Sequence, residues 1–207
     1  MKRLFDVAVS GAGLVMVSPV ILAAAIAIKL ESPGPAFYNG RRVGKDGRDF
    51  DIFKLRTMRP GADQQGPAVT AGGDPRITSV GRLLRRTKID ELPQLLNVLK
   101  GEMSLVGPRP EHPDYVERYT VEQRRVLSVR PGITGPTALA FVDEEELLRG
   151  ADAETLYLAN VMPQKLAVDL EYVDHASLPG DFRILGQTLF VVLRRALGLR
   201  AAKRGSA

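Results

Sequence analysis

The chain has 207 residues, 44% of them hydrophobic, and 29 Lys and Arg against 24 Asp and Glu give a net charge of +5. That is enough apolar material for one medium domain with a real core, so disorder is excluded as the organising state, and the mild positive bias suits phosphates, nucleic acid or an acidic lipid surface as well as a merely soluble basic surface. The absence of cysteine excludes disulfides, zinc–cysteine sites and thiol catalysis; two histidines, His112 and His175, are too few for a histidine-rich metal site, and sparse aromatics without tryptophan argue against base stacking.

The first element is an uncharged run, VAVSGAGLVMVSPVILAAAIAI, from residue 7 to 28. It is long enough to span a bilayer as one straight helix. It is long for a secretory signal, and its charged flank Lys29-Leu30-Glu31 and internal AAA do not suit a cleavage site. Ser18-Pro19 interrupts it, and proline there predicts a kink, with Ser18 able to partner a freed backbone group. Half-helices before and after the break would be about 21 and 16 Å long, each too short for a hydrocarbon core of about 30 Å. Two geometries follow, a kinked spanning helix or a re-entrant hairpin; a core helix of a soluble protein fits the length less well. Lys2 and Arg3 before the run, and Arg41, Arg42, Lys45 and Arg48 after it, lean toward both ends facing the cytoplasm. Gly11 and Gly13 are not a dinucleotide fingerprint, because Met16 stands where the third glycine belongs and no strand precedes.

Glu31-Ser32-Pro33-Gly34-Pro35 predicts a turn-rich hinge. Residues 41–58 predict a hairpin with Asp46-Gly47 as its turn, and 59–76 a long loop. Thr78 or Ser79 is placed to cap a helix through about Thr87. A second helix is expected from Asp90 to Lys100, ended by Gly101, with Leu92, Leu95, Leu96 and Leu99 as one apolar stripe. A proline-rich loop is expected over 104–113, a helix over 114–129, a break at Arg130-Pro131-Gly132, and helix again over 143–175 with Pro163 as its break. The last apolar run, Ile184 to Ala196, is basic at Arg194, Arg195 and Arg200; it suits a membrane surface or packing on the body.

Asp90 and Glu91 raise the chemical question. Acids and a proline at a helix start are ordinary, with Asp90 as N-cap and Glu91 and Pro93 in the first turn. Yet Arg85 and Arg86 lie just upstream, and Lys54, Arg56 and Arg109 sit in other polar segments. Carboxylates beside a phosphate need a cation between them, and Mg²⁺ held by one or two carboxylates plus substrate phosphates is a natural bridge. A carboxylate can also attack phosphorus and hold it covalently. The local chemistry therefore permits phosphoryl transfer. G-x-S-x-G, the P-loop pattern and H-E-x-x-H are absent, and His112, between Glu111 and Pro113, reads as a loop residue.

Five segments together resemble the bacterial sugar transferase family, the small monotopic phosphoglycosyl transferases. They are KRLFD with the Ser18-Pro19 apolar run, RRVGKDG, FKLRTM, KIDELPQLLNVLKGEMSLVGPRP and RPGITG, in family order from residue 2 to 135. The resemblance implies an α+β, predominantly helical chain. A re-entrant membrane helix-break-helix over residues 1–35, broken at Ser18 and Pro19, would precede a cytosolic catalytic domain over 36–207 with a small β-hairpin and amphipathic interfacial helices. It implies a monotopic enzyme on the cytoplasmic face of the bacterial inner membrane. Such enzymes transfer a sugar phosphate from a UDP-sugar to polyprenyl (undecaprenyl) phosphate and release UMP. By the same resemblance Asp90 is the nucleophile that takes up the phosphosugar, and Glu91 helps hold Mg²⁺ with it. Arg85 matches the phosphate-contacting arginine, and Lys54, Arg109 and Arg42 match further substrate-binding positions. The expected partners are the UDP-sugar, the polyprenyl phosphate and the lipid bilayer, with a homodimer left open and no nucleic acid.

After RPGITG the chain departs from many relatives, reading Pro136-Thr137-Ala138-Leu139-Ala140-Phe141 and then Asp143-Glu144-Glu145-Glu146-Leu147-Leu148. The sugar is not legible there. The membrane domain that precedes the module in larger relatives is expected to be missing. A non-catalytic membrane-attached module docking anionic lipid or a partner is the alternative reading, and a nucleic-acid binder a weaker third.

Overall fold

The computed structural model describes residues 1–150 and 152–197. The first helix, α1, runs from Lys2 to Glu31 with Pro19 inside it. The half-helices expected on either side of Ser18-Pro19 are thus joined as one. Pro19 cannot donate to the carbonyl four residues back, that of Val15. The Ser18 hydroxyl donates to that carbonyl at 2.8 Å, as expected of a Ser-Pro pair, so the orphaned acceptor is satisfied from within the helix. Among the described residues α1 is the one helix long and apolar enough to cross a membrane. Asp6, Ser10, Ala24 and Ile28 form its buried stripe, while Leu4, Val15, Met16, Leu22 and Leu30 on its other faces are exposed.

The hairpin follows as predicted, with β1 (Phe37–Val43) antiparallel to β2 (Asp49–Leu55) and Phe37 opposite Leu55. Asp46 and Gly47 turn it at φ 58° and 73°, the left-handed pair that a tight hairpin turn needs. The loop over 59–76 is closed by a bridge between Met58 and Ile77, and Arg76 ties it by donating to the Ala62 carbonyl at 3.0 Å while paired to Asp74 at 2.7 Å.

Helix α2 (Ser79–Thr87) starts at the expected cap, where Thr78 Oγ1 accepts from the Gly81 amide at 2.9 Å. The helix expected from Asp90 to Lys100 is instead a 3-10 turn, Ile89–Gln94, followed by α3 (Leu95–Lys100). Pro93 lies inside this turn and lacks the N–H that an α-helix running from Asp90 would need there. Gly101 ends α3 at φ 89°, as predicted.

Three further expectations change. The 104–113 loop contains β3 (Ser104–Val106), which pairs in parallel with β4 (Gly132–Thr134). A three-residue strand shows no readable period, and its partner is distant in the chain. A Cβ on Gly132 would lie 2.1 Å from the Gly107 amide nitrogen, so the RPGITG glycine is what lets these strands meet. The 114–129 helix shrinks to one turn, α4 (Pro113–Val116), and a 3-10 turn over Gln123–Ser128. Thr120 and Gln123 bond reciprocally, each side chain accepting from the other's amide at 3.2 and 2.9 Å, and this capping box restarts the chain.

After α5 (Pro136–Ala140), the 143–175 helix divides into α6 (Glu144–Leu147), α7 (Ala153–Leu156), a π turn at Tyr157–Val161 and α8 (Met162–His175). A break falls at Gly150, φ 76°, well before Pro163, which sits in the first turn of α8 where its missing N–H is tolerated. The last helix, α9 (Leu178–Ala196), buries Asp181 and exposes Phe182, Leu189, Phe190 and Leu193. One face packs on the body, as one of the two expectations has it, and the other is apolar and exposed; Arg200 lies outside the described residues. Phe182 meets Phe5 of α1 edge-on at 4.9 Å, joining the two helices.

The main core gathers Tyr115, Val116, Tyr119, Val126, Leu148, Tyr157, Met162 and Leu166. A second cluster, Ala24 and Ile28 with Leu55 and Leu84, glues the end of α1 to β2 and α2. Charges then fix α1 at both ends. Glu31 accepts from the Ser79 and Val80 amides at 2.7 and 3.1 Å, capping the start of α2. Arg3 donates to the Val98 and Leu99 carbonyls at 2.6 and 3.0 Å, capping the end of α3. The two ends of the apolar helix therefore bracket the α2–turn–α3 unit that carries Asp90 and Glu91.

Candidate active site

Asp90 and Glu91 lie in the 3-10 turn, 6% and 7% exposed. Neither caps a helix. The N-cap is Lys88, held at φ 59°, and it has no side-chain cap bond. A non-glycine residue in the left-handed region is uncommon and costs on the order of 1 kcal/mol; here it turns the chain from α2 into the acidic pair. The expected N-cap role of Asp90 is thus overturned, while Asp90 and Glu91 both stand in the first turn of the 3-10 helix, as expected of Glu91.

The two carboxylates stand in opposite conditions. Glu91 is surrounded by cations: Arg109 Nη2 donates to its Oε1 at 2.8 Å, with Lys54 Nζ at 3.5 Å and Lys88 Nζ at 3.8 Å. Burial raises its carboxyl, but the charges of Arg109, Lys54 and Lys88 outweigh burial and hold it well below the usual carboxylate range. Asp90 has an oxygen, Oδ1, that is buried and without a hydrogen-bond partner among the described residues. Burial first, and the Glu91 charge second, push its carboxyl above the ordinary value, against the pull of Lys54, Lys88 and Arg85. Burial likewise draws the Lys54 ammonium down to about 8, opposed by Glu91 and reinforced by Arg109 and Arg42. A phosphate bound beside Lys54 would raise it again.

Each expected site residue can now be placed. Lys54, from the end of β2, and Arg109, from the turn after β3, converge on Glu91. Arg85 comes from the last turn of α2, and α2 lies hard against the strand end: a Cβ on Gly81 would fall 2.0 Å from the Thr57 carbonyl oxygen. The Arg85 guanidinium reaches Glu145, at 2.9 Å through Nε and 2.6 Å through Nη2, and Thr57 Oγ1 at 3.4 Å. Arg42 sits opposite Phe50 and so shares the hairpin face that carries Lys54 opposite Tyr38; it donates to the Arg41 carbonyl at 2.7 Å and contacts neither acid. Ser18 and Pro19 are exposed on the middle of α1. His112 is the loop residue expected, accepting from the Asp114 amide as the cap of α4.

Sequence reading missed Lys88, although it begins the KIDELPQ segment, and Glu145, although the acidic run around it had been singled out. Lys88 carries one local signal, its i,i+3 spacing to Glu91, while Glu145 carries none, its partner Arg85 lying 60 residues away. It also missed Gln94, buried in the same turn as Asp90 with its Nε2 unpartnered.

Among the described residues no three His, Asp or Glu side chains gather to cage a metal. Mg²⁺ binds through one or two carboxylates and takes its other oxygens from phosphate and water; Asp90 offers it one oxygen, and Glu91 could join only by sharing oxygens now turned to Arg109, Lys54 and Lys88. The unpartnered Asp90 oxygen is the open ligand such a site requires.

A model of the family described as bacterial sugar transferase matches residues 1–195. A UDP-glucose:undecaprenyl-phosphate glucose-1-phosphate transferase of Caulobacter vibrioides is 46% identical over 191 residues, covering 91% of this chain and 68% of its own. The exopolysaccharide production protein PSS of Rhizobium leguminosarum is 38% identical over 205 residues, covering 96% and 98%. A UDP-N-acetylgalactosamine-undecaprenyl-phosphate N-acetylgalactosaminephosphotransferase of Aeromonas hydrophila is 39% identical over 199 residues, and there this chain spans only 43% of the relative's length.

Proposed function

We propose that this chain, which belongs to the bacterial sugar transferase family, moves a sugar 1-phosphate from a UDP-sugar to polyprenyl phosphate through a covalent intermediate on Asp90. Its family makes it a transferase, and the relatives' names point to UDP-sugars and undecaprenyl phosphate as the substrate classes. One observation carries the covalent reading: of two adjacent buried acids, Glu91 is held by three cations while Asp90 keeps a bare oxygen. An acid left unpaired inside a ring of cations is stabilised for reaction with an anion rather than for folding.

In this reading an Asp90 oxygen attacks the β-phosphorus of the UDP-sugar. The bond to the bridging oxygen breaks, its electron pair leaves with UMP, and an aspartyl phosphosugar remains. A phosphate oxygen of the polyprenyl carrier then attacks the same phosphorus and returns Asp90 as a carboxylate. Lys54, Lys88, Arg85 and Arg109 set positive charge around the transferring group, the general demand of phosphoryl transfer. Glu91 fixes Arg109, Lys54 and Lys88 where they act. Mg²⁺, held by Asp90 and Glu91 with the donor's phosphates, would neutralise diphosphate charge.

Purified protein with Mg²⁺, undecaprenyl phosphate and a panel of UDP-sugars should release UMP. With donor alone it should release about one UMP per protein and leave a phosphosugar mass on the Asp90 peptide. UMP released only when acceptor is present, with that peptide unmodified, would remove the covalent step; no release from any donor would remove the reading.

We also read the chain as monotopic on the cytoplasmic face. Support comes from α1: Arg3 near its start and Glu31 at its end are both tied to one α2–turn–α3 unit, so both ends lie by the body. The exposed apolar residues of α1 and α9, joined through Phe5 and Phe182, suit a single lipid-facing surface. The chain has no native cysteine, so single cysteines placed near residues 3 and 40 report cleanly. Both should label from the same side of sealed vesicles; labelling from opposite sides refutes the monotopic reading.

A further inference from the structure

Lys54, Lys88 and Arg109 are engaged by Glu91, which is 9% exposed in its side chain. Arg85 is engaged by Glu145, whose side chain is 46% exposed. Glu145 belongs to α6, one turn of helix with no buried residue of its own. One Glu145 oxygen takes two nitrogens of the guanidinium fork, and the third nitrogen rests on the Thr57 hydroxyl. That is the arrangement in which a guanidinium receives a phosphate oxygen, filled here by a carboxylate.

Its neighbours in the acidic run are tied elsewhere: Asp143 to Arg195, Glu144 to Lys165 at 2.9 Å and Glu146 to Arg149 at 2.8 Å. The pairs to Arg195 and Lys165 reach α9 and α8 and would hold α6 in place if Glu145 let go, whereas Glu146–Arg149 is local to the segment. Glu145 also holds the long loop over 59–76, since its carbonyl accepts from the Gly72 amide at 2.5 Å. A half-exposed ion pair is weak and screened, so an incoming diphosphate with more charge competes for Arg85 at small cost. Exchanging the Glu91 partners would instead break a buried cluster.

We propose that Glu145 is a placeholder for donor phosphate on Arg85: it occupies the guanidinium in the ligand-free protein and is displaced when the donor's diphosphate binds. The proposal rests on the transferase reading above and adds to it a residue that sets donor affinity through Arg85. Glu145 is a positioning residue, outside the bond-making steps.

The test is Glu145→Gln in the full chain, read two ways. Direct calorimetric binding of inorganic pyrophosphate should tighten about two- to fivefold relative to the unmodified protein. The KM for the UDP-sugar should fall by a similar factor with kcat unchanged. Glu145→Asp keeps the charge on a shorter arm and should fall between the two. In an Arg85→Ala background the Glu145→Gln gain should vanish. Unchanged or weaker pyrophosphate binding overturns the proposal, because an ordinary surface pair, or one that merely orients Arg85, gives that result. Tighter pyrophosphate binding with no UMP release from any UDP-sugar leaves the placeholder standing and removes the transferase reading.

Discussion

Asp90→Asn is expected to abolish turnover, by at least about a thousandfold in kcat, while the protein stays folded and melts at a higher temperature. The loss follows from the proposed step: an amide oxygen does not displace UMP, and no adduct can form. The gain follows from electrostatics. Asp90 carries a carboxyl raised by burial and by the Glu91 charge, with one oxygen unpartnered. A raised acid destabilises most at every pH above its folded value; the penalty shrinks as pH falls through that value and is gone below the unfolded carboxylate range. Glu91 has the opposite sign. Its lowered carboxyl contributes stability above the unfolded carboxylate range, lost only as pH falls through the depressed folded value. Asparagine at position 90 removes the first term and leaves the second. Thermal melts of both proteins near neutral pH, beside a UMP-release assay, check it. An Asp90→Asn protein that turns over normally removes the nucleophile, and one that melts lower removes the electrostatic account of the pair.

Arg109→Met is expected to damage both stability and catalysis. Arg109 makes the shortest contact to Glu91, and without it a buried carboxylate keeps only Lys54 and Lys88, at 3.5 and 3.8 Å. Breaking a buried pair by removing one partner leaves the other charge uncompensated, which generally costs 3–5 kcal/mol, roughly. The Arg109 side chain retains 33% exposure, so solvent offsets part of this and about 2–3 kcal/mol is expected. In kcat/KM the loss should be on the order of a hundredfold, because one charge beside the transferring phosphoryl group is gone and Glu91 recruits Lys54 and Lys88 more tightly. The stability loss should shrink sharply in a Glu91→Gln background, where no charge is stranded. Equal losses in the two backgrounds would show that Arg109 acts through packing alone.

The parts of this molecule legible in advance are those coded within a few residues. The uncharged run marks α1, Asp46-Gly47 supplies the left-handed turn of the hairpin, Thr78 caps α2, and Gly101 ends α3. The Ser18 hydroxyl's rescue of the Val15 carbonyl is equally local. The adjacent acids stand out in the sequence as a place where chemistry is permitted, and the fold brings Lys54 and Arg109 to them. Where local coding was too short, as in the three-residue strands and the single turns of α4, α6 and α7, the reading lengthened or lost them.

What only the tertiary structure decided is the condition of each charge. Asp90 and Glu91 are neighbours of nearly identical chemistry, and the one local cue is Lys88 three residues before Glu91. Glu91 is claimed by Arg109 from 18 residues away and Lys54 from 37, and Arg85 by Glu145 from 60. Such pairings exist once helices and strands have packed, because a charge's energy depends on burial and on partners brought from elsewhere in the chain. The same holds for the bracket of Arg3 and Glu31 on α3 and α2. By itself the sequence determined the apolar helix, the hairpin and the family; packing determined which acid is bare and how the two ends of that helix are tied to α2 and α3.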